Sequence, residues 1–133
     1  PESIYAGIYQ FKIGLLNDDE ENYLPLYIGE SYSMLSRCSN HLYELFHNDP
    51  SYFGLTKEDL EDEELQLIVD IYEQVSLEDN ISNSDREILL REKEIVAIKK
   101  LMPFSQNRTN DNLNKNRSAI VKEAIKKLKL CNK

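Results

Sequence analysis

Two stretches decide the fold: Ile4-Tyr5-Ala6-Gly7-Ile8-Tyr9-Gln10-Phe11-Lys12-Ile13 and Leu24-Pro25-Leu26-Tyr27-Ile28-Gly29. The first is rich in Ile, Tyr and Phe, residues that suit a pleated, half-buried surface, and it reads as a strand. Gly7 within it marks a bulge or a close backbone approach. The second also reads as a strand, with Pro25 near its start, where a missing N–H donor is tolerated. Between them, Asn17-Asp18-Asp19-Glu20-Glu21-Asn22 is a polar turn signal. The pair predicts an antiparallel hairpin with an acidic tip.

Downstream of the hairpin, Ser33 to Phe46 reads as a helix that Ser31 or Ser33 can cap. At helical spacing Met34, Leu35, Cys38, Leu42, Leu45 and Phe46 share an apolar face, and Arg37, His41 and Glu44 form a polar stripe beside it. Pro50 and Gly54 punctuate a loop that contains His47's successors, and Lys57 to Glu64 is an acidic turn or short helix. Leu65 to Val75 alternates as a third strand, with Leu65, Leu67, Val69 and Ile71 on one side and Ile68 and Tyr72 on the other. Ser84 to Leu101 is the clearest helix, with a capping-box pattern at Ser84 and Glu87 and a stop at Pro103. Leu90, Ala97, Ile98 and Leu101 lie in one narrow sector of it, and Glu94 sits in the middle. A carboxylate on an apolar stripe is costly unless something pairs with it, so Glu94 is the most informative single residue. A last helix, 112–130, turns Ile120, Ala124, Ile125 and Leu128 inward and lysines outward. The expected fold is α/β (α+β): a small, mainly antiparallel three-stranded sheet flanked by helices.

Composition sets the outer bounds. The chain has 133 residues, 41% of them hydrophobic, which suits one domain with a small core. No apolar run approaches the ~18 residues of a membrane helix. No apolar signal region lies near Pro1, so an intracellular, cytoplasmic protein is expected, with no membrane partner. The start at Pro1 suggests a trimmed chain or an excised domain. Cys38 and Cys131 are too few for a disulfide framework or a cysteine-ligated metal, and Cys38 falls on a core face. The net charge of −8 argues against nucleic acid when taken alone. The average hides a split: residues 1–85 hold 3 basic and 19 acidic side chains, and residues 86–133 hold 13 basic and 5 acidic. The basic half can face an anion.

Gly7-Ile8-Tyr9 and Tyr27-Ile28-Gly29 stand in consecutive strands. Arg37 follows Tyr27 by ten residues, His41 lies one helical turn further, and Glu94 precedes Pro103 by nine. This constellation resembles the GIY-YIG nuclease family over roughly residues 4–107, with the basic helix 112–130 as an addition. The resemblance implies Arg37 as the family's arginine on its first helix. It implies His41 as the histidine of many homing and restriction members, and Glu94 as the metal-binding glutamate of the excision-repair incision nucleases. The family's asparagine falls at Gln106, with Asn107 beside it, and either can take that role. Glu30 departs from the basic or neutral residue that many members carry after the second tripeptide.

The implied activity is a metal-dependent endonuclease that hydrolyses DNA phosphodiester bonds by a one-metal mechanism. Mg²⁺ (or Mn²⁺) keeps several waters and takes few protein ligands, so one carboxylate, Glu94, can hold it. Arg37 would bind the scissile phosphate through its planar fork. Tyr9 and Tyr27 would flank the nucleophilic water; the resemblance favours Tyr9 as base, provided Arg37 and the metal lower its pKa. His41 would relay a proton or bind phosphate. Gly29 and Gln106 or Asn107 are candidates for positioning substrate, and Lys122, Lys126 and Lys129 for tracking the DNA backbone. The alternative is a catalytically inactive module of the same fold that binds nucleic acid or protein. A double-strand break needs two nicks, so a homodimer or fusion to a DNA-specificity domain is compatible with the restriction role.

Overall fold

The two motif strands form the hairpin that the sequence predicts. In the computed structural model, which describes residues 5–76, 82–106 and 113–131, β1 spans Gly7–Leu15 and β2 spans Leu24–Ser31. They pair antiparallel, with Tyr9 opposite Gly29 and Phe11 opposite Tyr27. The turn is closed by a short 3-10 segment, Glu20–Asn22, and Lys12 reaches back to Glu20 at 2.9 Å. β1 starts after Tyr5 and Ala6, with Ile4 outside the described residues, and it runs on to Leu15 because β3, Leu65–Gln74, pairs with it along its whole length. The sheet has three antiparallel strands in the order β2-β1-β3.

Helices cover both faces. On one side lie α1, Met34–His47, and α4, Leu113–Cys131. Their Met34, Cys38, Leu45, Val121 and Ile125 pack with Tyr9, Phe11 and Ile13 of the sheet and with Phe53 and Leu55. Phe53 ends a 3-10 segment, Pro50–Phe53, and the short helix α2 follows at Lys57–Glu61, held by a full capping box between Thr56 and Asp59. On the other side lies α3, Asn83–Leu101, whose Ala97 packs with Ile8 and Ile28 and whose Leu90 packs with Ala6 and Val75. The result is a sheet between two helical layers. Among the described residues no helix is long and apolar enough to cross a membrane.

Four local readings change. The inward stripe of α1 is Met34, Cys38, His41 and Leu45. Leu35 and Phe46, expected in the core, are exposed, and His41, expected on a polar stripe, is buried. The sheet approaches this helix from an angle that selects one narrow set of positions, and hydropathy alone does not fix that angle. Neither serine caps α1 through its side chain at the expected place: Ser33 occupies the N-cap without a side-chain bond, while Ser31 Oγ accepts from Ser33 N at 3.0 Å. α3 begins one residue earlier than expected, and its cap is Ser82, which accepts from the Asp85 amide at 3.2 Å, in place of the Ser84–Glu87 box. In α4 Ile125 and Leu128 are buried as expected and Ile120 and Ala124 are partly buried, while the deepest residue is Val121, which the expected stripe did not include.

Candidate active site

Alternation along β1 and the pairing register place Tyr9, Phe11 and Tyr27 on one face of the sheet. Tyr9 and Tyr27 are diagonal cross-strand neighbours with ring centroids 6.5 Å apart. Gly29 makes the Tyr9 position possible. The Tyr9 ring lies directly over the Gly29 backbone, and a Cβ there would overlap its Cζ and hydroxyl. The glycine of the second tripeptide thus accommodates the tyrosine of the first. Gly7 has the matching role against α1: a Cβ there would run into the Glu73 carbonyl and the Met34 thioether.

α1 then brings two side chains to Tyr9. His41 Nε2 lies 2.8 Å from the Tyr9 hydroxyl, and the Arg37 guanidinium is near enough for its charge to act on that phenol. The imidazole tautomer sets the direction of this bond: with the ring proton on Nδ1, the phenol O–H donates to Nε2. The imidazole sits 5.1 Å from the Tyr27 ring and 5.5 Å from that of Phe53, and Phe53 stacks on Tyr27 at 4.4 Å.

Burial sets the protonation states. Desolvation lowers the pKa of His41 from 6.5 to about 4, and the Arg37 charge adds to it, so the ring is neutral at pH 7. Tyr9 is only 1% exposed, and burial raises its pKa well above the ordinary value despite Arg37. Tyr27 is raised for the same reason, with the Glu94 carboxylate second. The expectation that Arg37 brings the Tyr9 pKa down is therefore corrected for the metal-free protein: its charge acts in that direction, and desolvation outweighs it. Cys38, behind Tyr9, is a core thiol pushed up to about 11.

Glu94 approaches from the opposite helical layer. Its carboxylate faces the backbone N–H of Glu30 on the outer edge of β2, which favours the charged form. Burial raises its pKa, the neighbouring Glu30 carboxylate raises it further, and that N–H and Arg91 partly offset both. The rest of this edge is also occupied. Phe104 N donates to Pro25 O at 3.0 Å, and Ser105 N donates to Leu26 O at 3.1 Å. Gln106 takes the Ile28 amide on Oε1 at 2.6 Å and returns Nε2 to the Ile28 carbonyl at 2.8 Å. Both ends of the Gln106 amide thus hold β2 in place, so this residue positions the strand rather than reaching toward a ligand. Asn107 lies outside the described residues.

The structure gathers Tyr9, Tyr27, Arg37 and His41 at one end of the sheet, with Glu94 close enough for its charge to act on Tyr27. It separates the lysines of α4. Lys122 and Lys126 are exposed, while Lys129 is engaged by Asp62. Two site residues were missed. Phe53 came from a segment with no periodicity to reveal it. Arg117 stands one turn before Val121, and a lone cation on a lysine-rich helix gave no signal to single it out. Its charge acts on Tyr27, and its Nε donates to Ser105 O at 3.1 Å.

A cleft of about 410 Å³ between α1 and β3, lined by Tyr9, Cys38, Leu42 and Asp70 among others, borders the site. Comparison with known protein families, with curated proteins and with solved structures finds no match to this chain.

Proposed function

We propose that this chain is a metal-dependent nuclease of the GIY-YIG type, acting on the phosphodiester bonds of DNA. One observation carries the reading: the Tyr9 hydroxyl lies 2.8 Å from His41 Nε2, with the Arg37 charge acting on it, beside a Tyr27 that feels the Glu94 charge. Each member comes from a different turn or strand, and together they offer a proton acceptor, a phosphate-binding fork and an anionic ligand.

A divalent cation fits at Glu94. The carboxylate is half-buried, and its pKa is raised by burial and by Glu30, both of which a cation would relieve. Among the described residues no group of three or more metal-ligating side chains is gathered, and Mg²⁺ commonly uses one or two carboxylates with waters. Bound there, the metal supplies charge stabilisation for the phosphoryl oxygens and the leaving oxygen.

The chain's own residues do the rest. Arg37, exposed at the edge of the site, binds a non-bridging phosphate oxygen and stabilises the charge that grows on it. Neither tyrosine is a phenolate at pH 7, so a simple tyrosinate base is not in place. Tyr9 instead takes the proton of the attacking water while passing its own to His41 Nε2. A neutral imidazole is the form that can accept it. Tyr27, the more exposed phenol, orients that water. The water oxygen bonds to phosphorus, the P–O ester bond breaks with its electron pair leaving on the departing oxygen, that oxygen takes a proton from solvent water, and His41 returns the proton it received to solvent.

The second reading, a binding module that does not cut, has its own support. Glu94 already faces a backbone amide, Gln106 is fully used on Ile28, and Tyr9 is nearly sealed. Nicking of supercoiled plasmid separates the two. Metal-dependent relaxation by the wild type should vanish with EDTA and fall about a hundredfold or more in Glu94→Ala, since a metal supplies several kcal/mol of transition-state stabilisation. DNA binding without any metal-dependent product would favour the module. Undiminished cleavage by Glu94→Ala would remove the mechanism.

A further inference from the structure

We propose that Arg117, contributed by α4 on the Phe53 side of Tyr27, is a second phosphate-binding residue of this site alongside Arg37. The inference rests on the nuclease reading above. Its geometric basis is an anchored guanidinium. Nε donates to the carbonyl of Ser105 at 3.1 Å. Ser105 is itself fully buried, and its N and Oγ both donate to the Leu26 carbonyl, the residue before Tyr27. The backbone of Arg117 lies against Gly54, where a Cβ would come within 2.9 Å of its carbonyl oxygen. Phe53, next to Gly54, stacks on Tyr27. One turn further along α4, Val121 is locked in the core. The side chain therefore starts from a rigid base on two elements that also hold Tyr27, as a preorganised ligand-binding group should.

Charge balance supplies the reason for a second arginine. Glu94 and Glu30 act on Tyr27 with negative charge, and Arg37 and Arg117 act on it with positive charge. Glu30 is this chain's departure from the motif it resembles, and Arg117 lies in the added C-terminal helix. The two additions offset each other. Arg117 is also set apart from the exposed lysines of α4: it is partly buried and carries the planar fork that suits phosphate oxygens.

The test uses a fluorescein-labelled DNA duplex, with anisotropy read across a series of salt concentrations in Ca²⁺, beside plasmid nicking in Mg²⁺. The proteins are wild type, Arg117→Gln and Arg117→Lys, each checked for cooperative thermal unfolding. Arg117→Gln should weaken binding about tenfold and reduce the salt slope of log K by about one, the signature of a lost phosphate contact. Arg117→Lys should keep the salt slope and lose cleavage rate through the missing fork. An unchanged salt slope in folded Arg117→Gln, with wild-type nicking intact, would overturn this proposal and leave the nuclease reading standing. Should the Gln variant fail to fold, wild-type binding and cleavage in Arg117→Lys would overturn it equally. No DNA binding by the wild type would sink the nuclease reading and this inference together.

Discussion

His41 shows how one residue's burial ties stability to mechanism. Its pKa of about 4 lies below the ordinary 6.5, chiefly through desolvation. The folded chain therefore binds fewer protons at this position than the unfolded chain between those two values. The stability it supports is present at pH 7, is lost as pH falls from 6.5 toward about 4, and then levels off. The shift corresponds to roughly 3 kcal/mol at most. Glu94 works with opposite sign, because its raised carboxyl pKa favours proton uptake in the folded state as acid is added. The expected outcome is a Tm that declines on acidification in the wild type and declines less in His41→Gln, which can still bond Tyr9. Parallel Tm curves for the two proteins would contradict a buried neutral imidazole. At this scale the sequence was informative about identity and weak about environment. Spacing singled out Tyr9, Tyr27, Arg37, His41 and Glu94, but His41 read as a surface residue. A polar side chain is placed outside by default, and only the packing angle of α1 reveals that Tyr9 supplies its partner.

Elements were legible wherever a local pattern and a long-range need agreed. The hairpin, α1, β3 and α3 follow from alternation, helical spacing and punctuation, and each starts or stops within a few residues of its expected place. What the pattern could not show is how β2 is finished. β2 is an edge strand, and an open edge offers unpaired amides and carbonyls to other chains. Here residues 104–106 lie along it, and Gln106 substitutes for a neighbouring strand by giving one acceptor and one donor to Ile28. The pairing spans 78 residues, beyond the reach of any local signal. Gln106→Leu keeps the volume and removes both bonds. It should cost about 1–3 kcal/mol in urea unfolding, and it should speed hydrogen exchange at the Ile28 amide by about tenfold or more. Unchanged exchange there would show that the edge is held by Ser105 and Glu94 alone. Since Ile28 lies between Tyr27 and Gly29, the same substitution should also lower cleavage through disordered positioning of Tyr27.

At the scale of the molecule, the open question is whether α4 is an appendage or a part. The sequence favours the first: the family resemblance ends near residue 107, and the helix is lysine-rich. The structure gives physical grounds for the second. Val121 and Ile125 join the same core as Tyr9, Phe11, Phe53 and Leu55. Lys129 binds Asp62 at the far end of the helix, and Arg117 ties its near end to Ser105. The charge split along the chain is thus partly spent inside the fold, with a cation of the basic half meeting an acid of the other. Removing α4 would expose Phe53, Leu55 and one side of Tyr27 to water. For a chain of 133 residues with a small core, that is a large fraction of what opposes conformational entropy. A chain ending at Gln106 is therefore expected to lose cooperative thermal unfolding. Val121→Ala in the full chain should cost about 1–3 kcal/mol, the range for truncating a buried aliphatic side chain. A truncated chain that melts cooperatively and still nicks plasmid would make the helix dispensable. A truncated chain that melts cooperatively but no longer nicks would separate folding from catalysis, and would place the contribution of α4 at the site through Arg117.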